Sequence, residues 1–290
     1  LFDNTTGANN VSVGYAALAN NTTAANNVAI GYNALNTNTT GTQHVAVGGS
    51  ALDANTTGSY NTAVGYETLT TNTTGAENTA LGTSSMKDNT TGTYNTAVGV
   101  ASLQHNTTAS YNVASGSLQD NTASNNTAVG YLALYENTTG TNNTAIGYGA
   151  LKTQTTASSN TAIGSDALDA ITTGDANTAV GRFAGSAATT SIGITAIGYQ
   201  ALDANTTGSY NTAIGFDCMS ANTTAVNNTA VGTNAMVANT TGAENTGIGR
   251  SALESNTTAS NNTAVGRKCL QSTVTGHSNT AMGETAGQNI

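Results

Sequence analysis

Residues 61–77 read Asn-Thr-Ala-Val-Gly-Tyr-Glu-Thr-Leu-Thr-Thr-Asn-Thr-Thr-Gly-Ala-Glu, and this unit recurs along a chain of 290 residues. Its positions are numbered 1 to 17 from Asn61. The glycine at position 5 marks the register, because it occurs 17 times from Gly14 to Gly283. Fifteen of the 16 intervals are 17 residues long, and one, Gly116 to Gly130, is 14. Such a fixed period is typical of a solenoid.

The residue types in the unit favour β-structure. Seventeen residues are too few for a pair of helices, whereas the β-branched residues of Thr-Ala-Val-Gly suit a pleated surface. Asn-Thr-Thr-Gly is typical of turns, since Asn bonds to nearby backbone and Gly accepts positive φ. The sequence therefore predicts an all-β fold, a parallel β-solenoid or β-roll of 17-residue coils, each with two short strands and two turns.

Two apolar rows are predicted to form the core. Position 4 holds an aliphatic or Met side chain in every repeat except the one with Ser115. Position 9 is mainly Leu, as at Leu69 and Leu151. We expect these two rows to face each other across the interior of each coil.

Position 3 is alanine in nearly every repeat, with Ser12 and Gly247 as exceptions. Because neighbouring strand residues point to opposite faces, these alanines are expected to point outward if position 4 points inward. A uniformly small apolar row on the outside favours close contact with another chain, most simply in a symmetric trimer. The alternative is that alanine packs inside a tight single-chain coil. The predicted homo-oligomer contact includes Ala46, Ala63, Ala97, Ala145 and Ala213.

Position 12 predicts a ladder of stacked asparagines along the solenoid axis. The row runs from Asn4 to Asn137, breaks at Gln154, Ile171 and Ala188, and returns at Asn205. We treat residues 1–290 as a single tandem-repeat array with irregular coils expected near 115–126, where the repeat is short, and near 182–195. Leu1 falls at position 9 and Ile290 at position 12, so the sequence is expected to be a section of a longer chain.

The composition offers little of the chemistry that catalysis or nucleic-acid binding requires. Only 7% of residues are charged and the net charge is −9, so the six basic residues form no patch for phosphates. No stretch is long and apolar enough for membrane insertion as a helix. The acids are scattered, so we expect no catalytic residues, no cofactor and no enzyme activity. The three histidines (His44, His105, His277) occupy different repeat positions, so no metal site is expected.

Two cysteines, Cys218 and Cys269, both fall at position 8, three coils apart. At a strand spacing of about 4.8 Å, that separation is too large for a disulfide. We expect both to act as small apolar residues in the core.

The phrases Asn27-Val28-Ala29-Ile30-Gly31 and His44-Val45-Ala46-Val47-Gly48 resemble the head repeat of trimeric autotransporter adhesins. The longer unit, as in residues 61–77, is similar to repeats in tail-fibre proteins of tailed phages. The first resemblance implies a trimeric left-handed parallel β-roll on a bacterial surface. Together they imply an extracellular or virion-surface location.

The first functional hypothesis is therefore a structural shaft, or a host- or surface-attachment segment, of a trimeric fibre that contacts a cell-surface glycan or receptor. The second is an ice-binding or other flat-lattice-binding solenoid, suggested by the Thr rows at positions 13 and 14, such as Thr56-Thr57. A solenoid lyase or hydrolase is a third, weaker hypothesis. The position-6 tyrosines are expected to form a partly exposed rim.

Overall fold

A computed structural model describes residues 1–288, which form a parallel β-solenoid without a helix in that range. Ile290, predicted to fall at position 12 of the last repeat, lies outside the described residues. Contacts divide the chain into two compact units, Leu1–Asn142 and Asn143–Ile290. The strands of the first unit are β1 (Val11–Val13), β2 (Val28–Ile30), β3 (Val45–Val47), β4 (Thr62–Val64), β5 (Thr79–Leu81), β6 (Thr96–Val98), β7 (Val113–Ser115) and β8 (Thr127–Val129). Those of the second are β9 (Thr144–Ile146), β10 (Thr161–Ile163), β11 (Thr178–Val180), β12 (Thr195–Ile197), β13 (Thr212–Ile214), β14 (Thr229–Val231), β15 (Thr246–Ile248), β16 (Thr263–Val265) and β17 (Thr280–Met282).

Each repeat contributes one strand of three residues, so each unit contains one parallel sheet built from successive coils. Ala63 of β4, for example, pairs with Ala46 before it and Ala80 after it. The expectation of a second strand in each coil was wrong. Positions 7 and 9 adopt left-handed φ, as at Glu67 (φ 52°) and Leu69 (φ 51°), and this folds the segment after the strand into turns.

Gly at position 5 is required by the backbone at the end of each strand. Gly65 has φ +142°, a region that side chains avoid. A Cβ atom there would lie 2.5 Å from the carbonyl oxygen of Gly82 in the next coil. The close stacking of coils therefore explains why this glycine marks every repeat.

The strand faces are the reverse of those predicted from hydrophobicity. Ala63 at position 3 is fully buried within the chain, whereas Val64 at position 4 is 37% exposed. The interior beside position 3 is narrow: at Gly247, a Cβ atom would already lie 3.0 Å from Cγ of Met236. Position 4 is therefore not a core row, and the alanines occupy the interior of a tight single-chain coil.

The prediction for position 9 is confirmed. These side chains are fully buried and fill the interior opposite the strand, as the Met236 contact illustrates. The cysteines at position 8, Cys218 and Cys269, are also buried, as expected for small apolar residues. The buried Leu and Met residues of the row are Leu18, Leu35, Leu52, Leu69, Met86, Leu103, Leu118, Leu134, Leu151, Leu168, Leu202, Met219, Met236, Leu253 and Leu270.

The predicted asparagine ladder is confirmed and is accompanied by a second one. At position 12, Nδ2 of Asn72 donates to Oδ1 of Asn55 and to the carbonyl of Gly75, both at 3.0 Å. At position 1, Nδ2 of Asn61 donates to the same Gly75 carbonyl at 2.8 Å, and Oδ1 of Asn61 accepts from the backbone N–H of Asn78. These bonds supply partners for polar groups that would otherwise be buried without them.

The two segments expected to be irregular behave differently. Between β7 and β8 the register shifts by 14 residues, with Val113 paired to Thr127. Near 182–195 the register stays at 17, with Thr178 paired to Thr195. There Gly185 stands where other coils have Leu, and a Cβ atom on it would lie 2.9 Å from Leu168 and 3.4 Å from Ile194. Larger neighbours thus occupy the space of the missing leucine.

Candidate functional site

The surface that the strands present to solvent is the candidate functional site. Positions 2 and 4 of each strand point away from the interior, because position 3 points inward. We call these two rows, within each unit, the outward face. Position 2 is Thr or Val and position 4 is mostly Val or Ile, and neither row holds a charged residue in the described strands. Exposed position-4 residues are Val13, Ile30, Val64, Leu81, Val98, Val129, Ile146, Ile163, Ile214, Ile248 and Met282.

Exposure of this face is unusual for its kind of sheet. Parallel sheets are normally covered on both faces, and their strands are correspondingly apolar. Here the inner face is covered by the chain itself, whereas Ile146 on the outer face is 38% exposed. A continuous row of exposed aliphatic side chains is typical of a surface that contacts another molecule.

The alanines that we predicted as the contact between chains cannot make such a contact. Ala46, Ala63, Ala97, Ala145 and Ala213 are all fully buried inside their own coil. The uniformly small side chains at position 3 do have a structural cause, but that cause is the narrow interior of the coil rather than a partner chain. The strand residues that face away from the coil are those at positions 2 and 4.

Aromatic side chains border the outward face. The position-6 tyrosines are exposed, as expected for a rim, and rings in successive coils stack: Tyr15 on Tyr32 at 5.6 Å and Tyr199 on Phe216 at 5.3 Å. Position 17 carries a second set, in which Tyr94 stacks on Tyr111 at 5.1 Å. A hydrogen bond with Glu77 raises the pKa of Tyr94. Flat rings on the strand flanks can stack on planar ligands.

The Thr rows suggested for lattice binding lie elsewhere on the coil. Position-13 hydroxyls donate to the next coil, as from Oγ1 of Thr56 to the carbonyl of Thr73 at 3.0 Å. Position-14 residues such as Thr57 are exposed. The position-13 row therefore contributes to coil stacking, and the Thr residues on the sheet itself are those at position 2.

His44 is a buried substitution in the position-1 ladder. Its Nδ1 accepts from the backbone N–H of Asn61 at 3.2 Å, and its Nε2 lies 2.7 Å from the carbonyl of Gly58. This pairing requires the neutral ring with the proton on Nε2. Burial lowers the pKa of His44 to about 4, although both backbone hydrogen bonds act in the opposite direction.

The other histidines lie in different surroundings. His105 contacts Asp88 at 2.6 Å and Asp120 at 3.7 Å on the surface, and Nδ1 of His277 accepts from the backbone N–H of Ser260. Among residues 1–288, no group of three or more His, Cys, Asp or Glu side chains is arranged to hold a metal ion. Within the same range, no helix has the length and hydropathy needed to cross a membrane.

Comparison with known proteins does not assign the chain to a family. No protein-family model matches the chain, and a search of curated proteins finds no similar sequence.

Proposed function

We propose that the chain is a structural shaft, or a host- or surface-attachment segment, of a trimeric fibre of the phage tail-fibre or surface-adhesin type. The observation that carries this proposal is the exposed apolar outward face. A second copy of the same face is a suitable cover, because both rows are uncharged and repeat at the strand spacing. The resemblance of the repeat to adhesin heads favours three copies around one axis.

Self-association through this face would bury a large apolar area. Each position-4 side chain that moves from partial exposure to full burial adds hydrophobic stabilisation of about 25 cal/mol per Å². The contribution is repeated in successive coils, so a weak contact per coil adds up along a unit. The inward alanines and leucines keep the single chain folded, and the outward face is left for assembly.

Light scattering of the folded protein tests this proposal. We expect a mass three times the chain mass of 28.7 kDa. The double variant Ile146→Lys/Ile163→Lys places charges on the outward face and should reduce the mass to that of one chain. Thr156→Lys/Thr173→Lys, at exposed position 14 of the same region, should leave the trimer intact. A native protein with the mass of one chain would refute assembly through this face.

A second candidate function, binding to ice or another flat lattice, is favoured by one feature of the same face. Thr at position 2 and Val or Ile at position 4 recur in most strands, for example Thr144 and Ile146, at a spacing of about 4.8 Å. Such a regular, uncharged array suits a periodic surface. Thermal hysteresis that disappears in Thr144→Lys/Thr161→Lys would support this candidate, and no hysteresis in the native protein would exclude it.

A further inference from the structure

The shortened coil lacks specific positions of the repeat. After β7 and Gly116, Ser117 occupies position 8, because its carbonyl accepts from the N–H of Leu103 as position-8 carbonyls do elsewhere. Leu118 occupies position 9: it is fully buried with φ 58°, like the leucines of that row. The coil therefore passes from position 5 directly to position 8, without positions 6 and 7. The third missing residue is position 14, because the position-15 carbonyl, Ala123, follows Asn121 by two residues rather than the three that separate Asn106 from Ala109.

This deletion opens a notch in the aromatic rim of the first unit. Val100 stands at position 6 of the coil before it and Tyr131 at position 6 of the coil after it, with no position-6 side chain between them. The two flanking coils are two strand spacings apart, about 9.6 Å. Where two successive complete coils both carry a ring at position 6, the rings stack directly and leave no gap, as Tyr15 and Tyr32 do at 5.6 Å. A cavity of about 300 Å³ fills the gap, lined by Val100, Ala101, Gly116, Ser117, Gln119, Tyr131, Leu132 and Tyr135.

The shortened coil also disturbs the interior. Oδ1 of Asn106 and Nδ2 of Asn112 are buried without a hydrogen-bond partner in the protein. In the complete coil before, Nδ2 of Asn95 donates to the carbonyl of Ala109. The equivalent carbonyl of the short coil, Ala123, accepts from Asn121 and Asn126, and the corresponding donor, Nδ2 of Asn112, is left without a partner in the protein. Buried polar groups without a partner destabilise a fold, so the notch is present despite a loss of stability.

The lining combines ring faces with neutral polar groups. Tyr131 is 67% exposed, and Tyr135 contributes a second ring. Nε2 of Gln119 donates to Oε1 of Gln104 at 3.1 Å, and Oε1 of Gln119 is a hydrogen-bond acceptor in the lining. None of the lining residues is charged, while Asp120 and Glu136 on the same two coils are exposed acids. The local field therefore disfavours an anionic ligand.

We propose that this notch binds one neutral pyranose ring of a glycan, stacked on Tyr131 and hydrogen-bonded to Gln119 and Tyr135. A cavity of about 300 Å³ is at the small end of ligand sites, which suits a single ring rather than an oligosaccharide. The hydroxyls of a sugar can form hydrogen bonds with the amide of Gln119 and the phenol of Tyr135. A purely apolar aromatic ligand would leave that amide and phenol without partners. The biological meaning of this site rests on the proposed attachment role, but its geometry is formed within one chain.

The test uses glucose, galactose and N-acetylglucosamine as separate probes in saturation-transfer NMR with the full chain. We expect at least one probe to bind with a Kd on the order of 1 mM. Tyr131→Ala should weaken that binding roughly tenfold. Tyr66→Ala, a position-6 tyrosine between two complete coils, is the matched control and should bind as the native protein does.

A second variant removes the notch without removing its tyrosines. Insertion of Tyr-Asn between Gly116 and Ser117 restores positions 6 and 7, should fill the gap in the column, and should abolish binding while the far-UV spectrum stays native. The proposal is overturned if none of the three sugars binds the native chain, or if Tyr131→Ala binds as well as Tyr66→Ala does. Light scattering on the same samples separates the two proposals: a single-chain mass with sugar binding refutes the fibre alone, and a trimer without binding refutes the notch alone.

Discussion

The inward row (position 3) and the outward row (position 4) of the same strands differ in what limits the size of their side chains. Ala145, inward, is fully buried, and its neighbour Ile146, outward, is 38% exposed. The inward row is limited by space, because the position-9 side chains already fill the coil. The outward row meets no such limit within the chain and carries the larger apolar residues. Folding of the single chain and association between chains therefore depend on opposite faces of one strand.

The largest expected effect comes from overfilling the inward row. Ala63→Leu should destabilise the fold by about 3 kcal/mol, because the coil cannot widen without disturbing strand pairing on both sides. Val64→Ala, one residue away, should cost less than about 1 kcal/mol in a chain that is not associated, since its side chain is partly exposed. Urea unfolding followed by far-UV circular dichroism measures both. A larger loss for Val64→Ala than for Ala63→Leu would contradict the assignment of the faces.

The next effect concerns His44 in the interior ladder. Its pKa is about 4 in the folded chain and 6.5 in the unfolded chain, so the unfolded state binds more protons between these values. Stability should therefore be complete above pH 6.5, fall by roughly 2–3 kcal/mol as the pH drops to about 4, and lose nothing more from this group below that. His44→Asn restores the usual residue of the repeat.

Comparison of thermal unfolding at several pH values, native against His44→Asn, isolates this contribution. The difference in stability between the two proteins should change between pH 6.5 and 4. If that difference is the same at every pH, His44 does not titrate as its burial requires.

Smaller losses are expected from the asparagine ladders. Asn72→Ala removes three buried bonds: the two that Nδ2 of Asn72 donates at 3.0 Å, and the one that its Oδ1 accepts from Nδ2 of Asn89 at 2.7 Å. The neighbouring polar groups are left with fewer partners, at a cost of about 1–2 kcal/mol. Asn20→Ala removes an exposed bond between coils and should cost at most about 0.5 kcal/mol. Urea unfolding compares the two variants. Equal losses would show that the interior ladder contributes no more than surface pairing.

The smallest effect is expected at position 8. Cys218→Ala places the residue that most coils already have, so stability should change by less than about 1 kcal/mol. Burial raises the pKa of the Cys218 thiol to about 12, so the native protein should react slowly with maleimides at this residue. Mass spectrometry after labelling checks the second point, and rapid modification of Cys218 would contradict its burial.

The repeat determined most of what could be predicted. The period of the repeat predicted the length of each coil, the parallel pairing of the strands and their register. The buried row at position 9 and the asparagine ladder at position 12 were also assigned correctly. The strand faces were not, because hydrophobicity alone placed Val64 inside and Ala63 outside. The width of the interior decides that choice, and it depends on left-handed residues such as Glu67 and Leu69 that no propensity rule anticipates.

The sequence predicted some features of the candidate sites and missed others. The tyrosine rim and the 14-residue interval were visible in the sequence, yet only the structure shows that positions 6, 7 and 14 are the missing ones. The outward face could have been found from one clue, since Ala at position 3 was compatible with a tight interior from the start. The expectation that a parallel strand is buried on both faces favoured the other interpretation.

The most direct test of the account is the rate of thiol labelling at the outward face in the native protein. In a Cys218→Ala/Cys269→Ala background, Ile146→Cys and Thr156→Cys are treated with a maleimide, and modification is followed by mass spectrometry. Both positions are accessible in a single chain, so we attribute a large difference between their labelling rates to contact between chains. The account predicts slow labelling of Ile146→Cys and fast labelling of Thr156→Cys. Equal, fast labelling of both would contradict it.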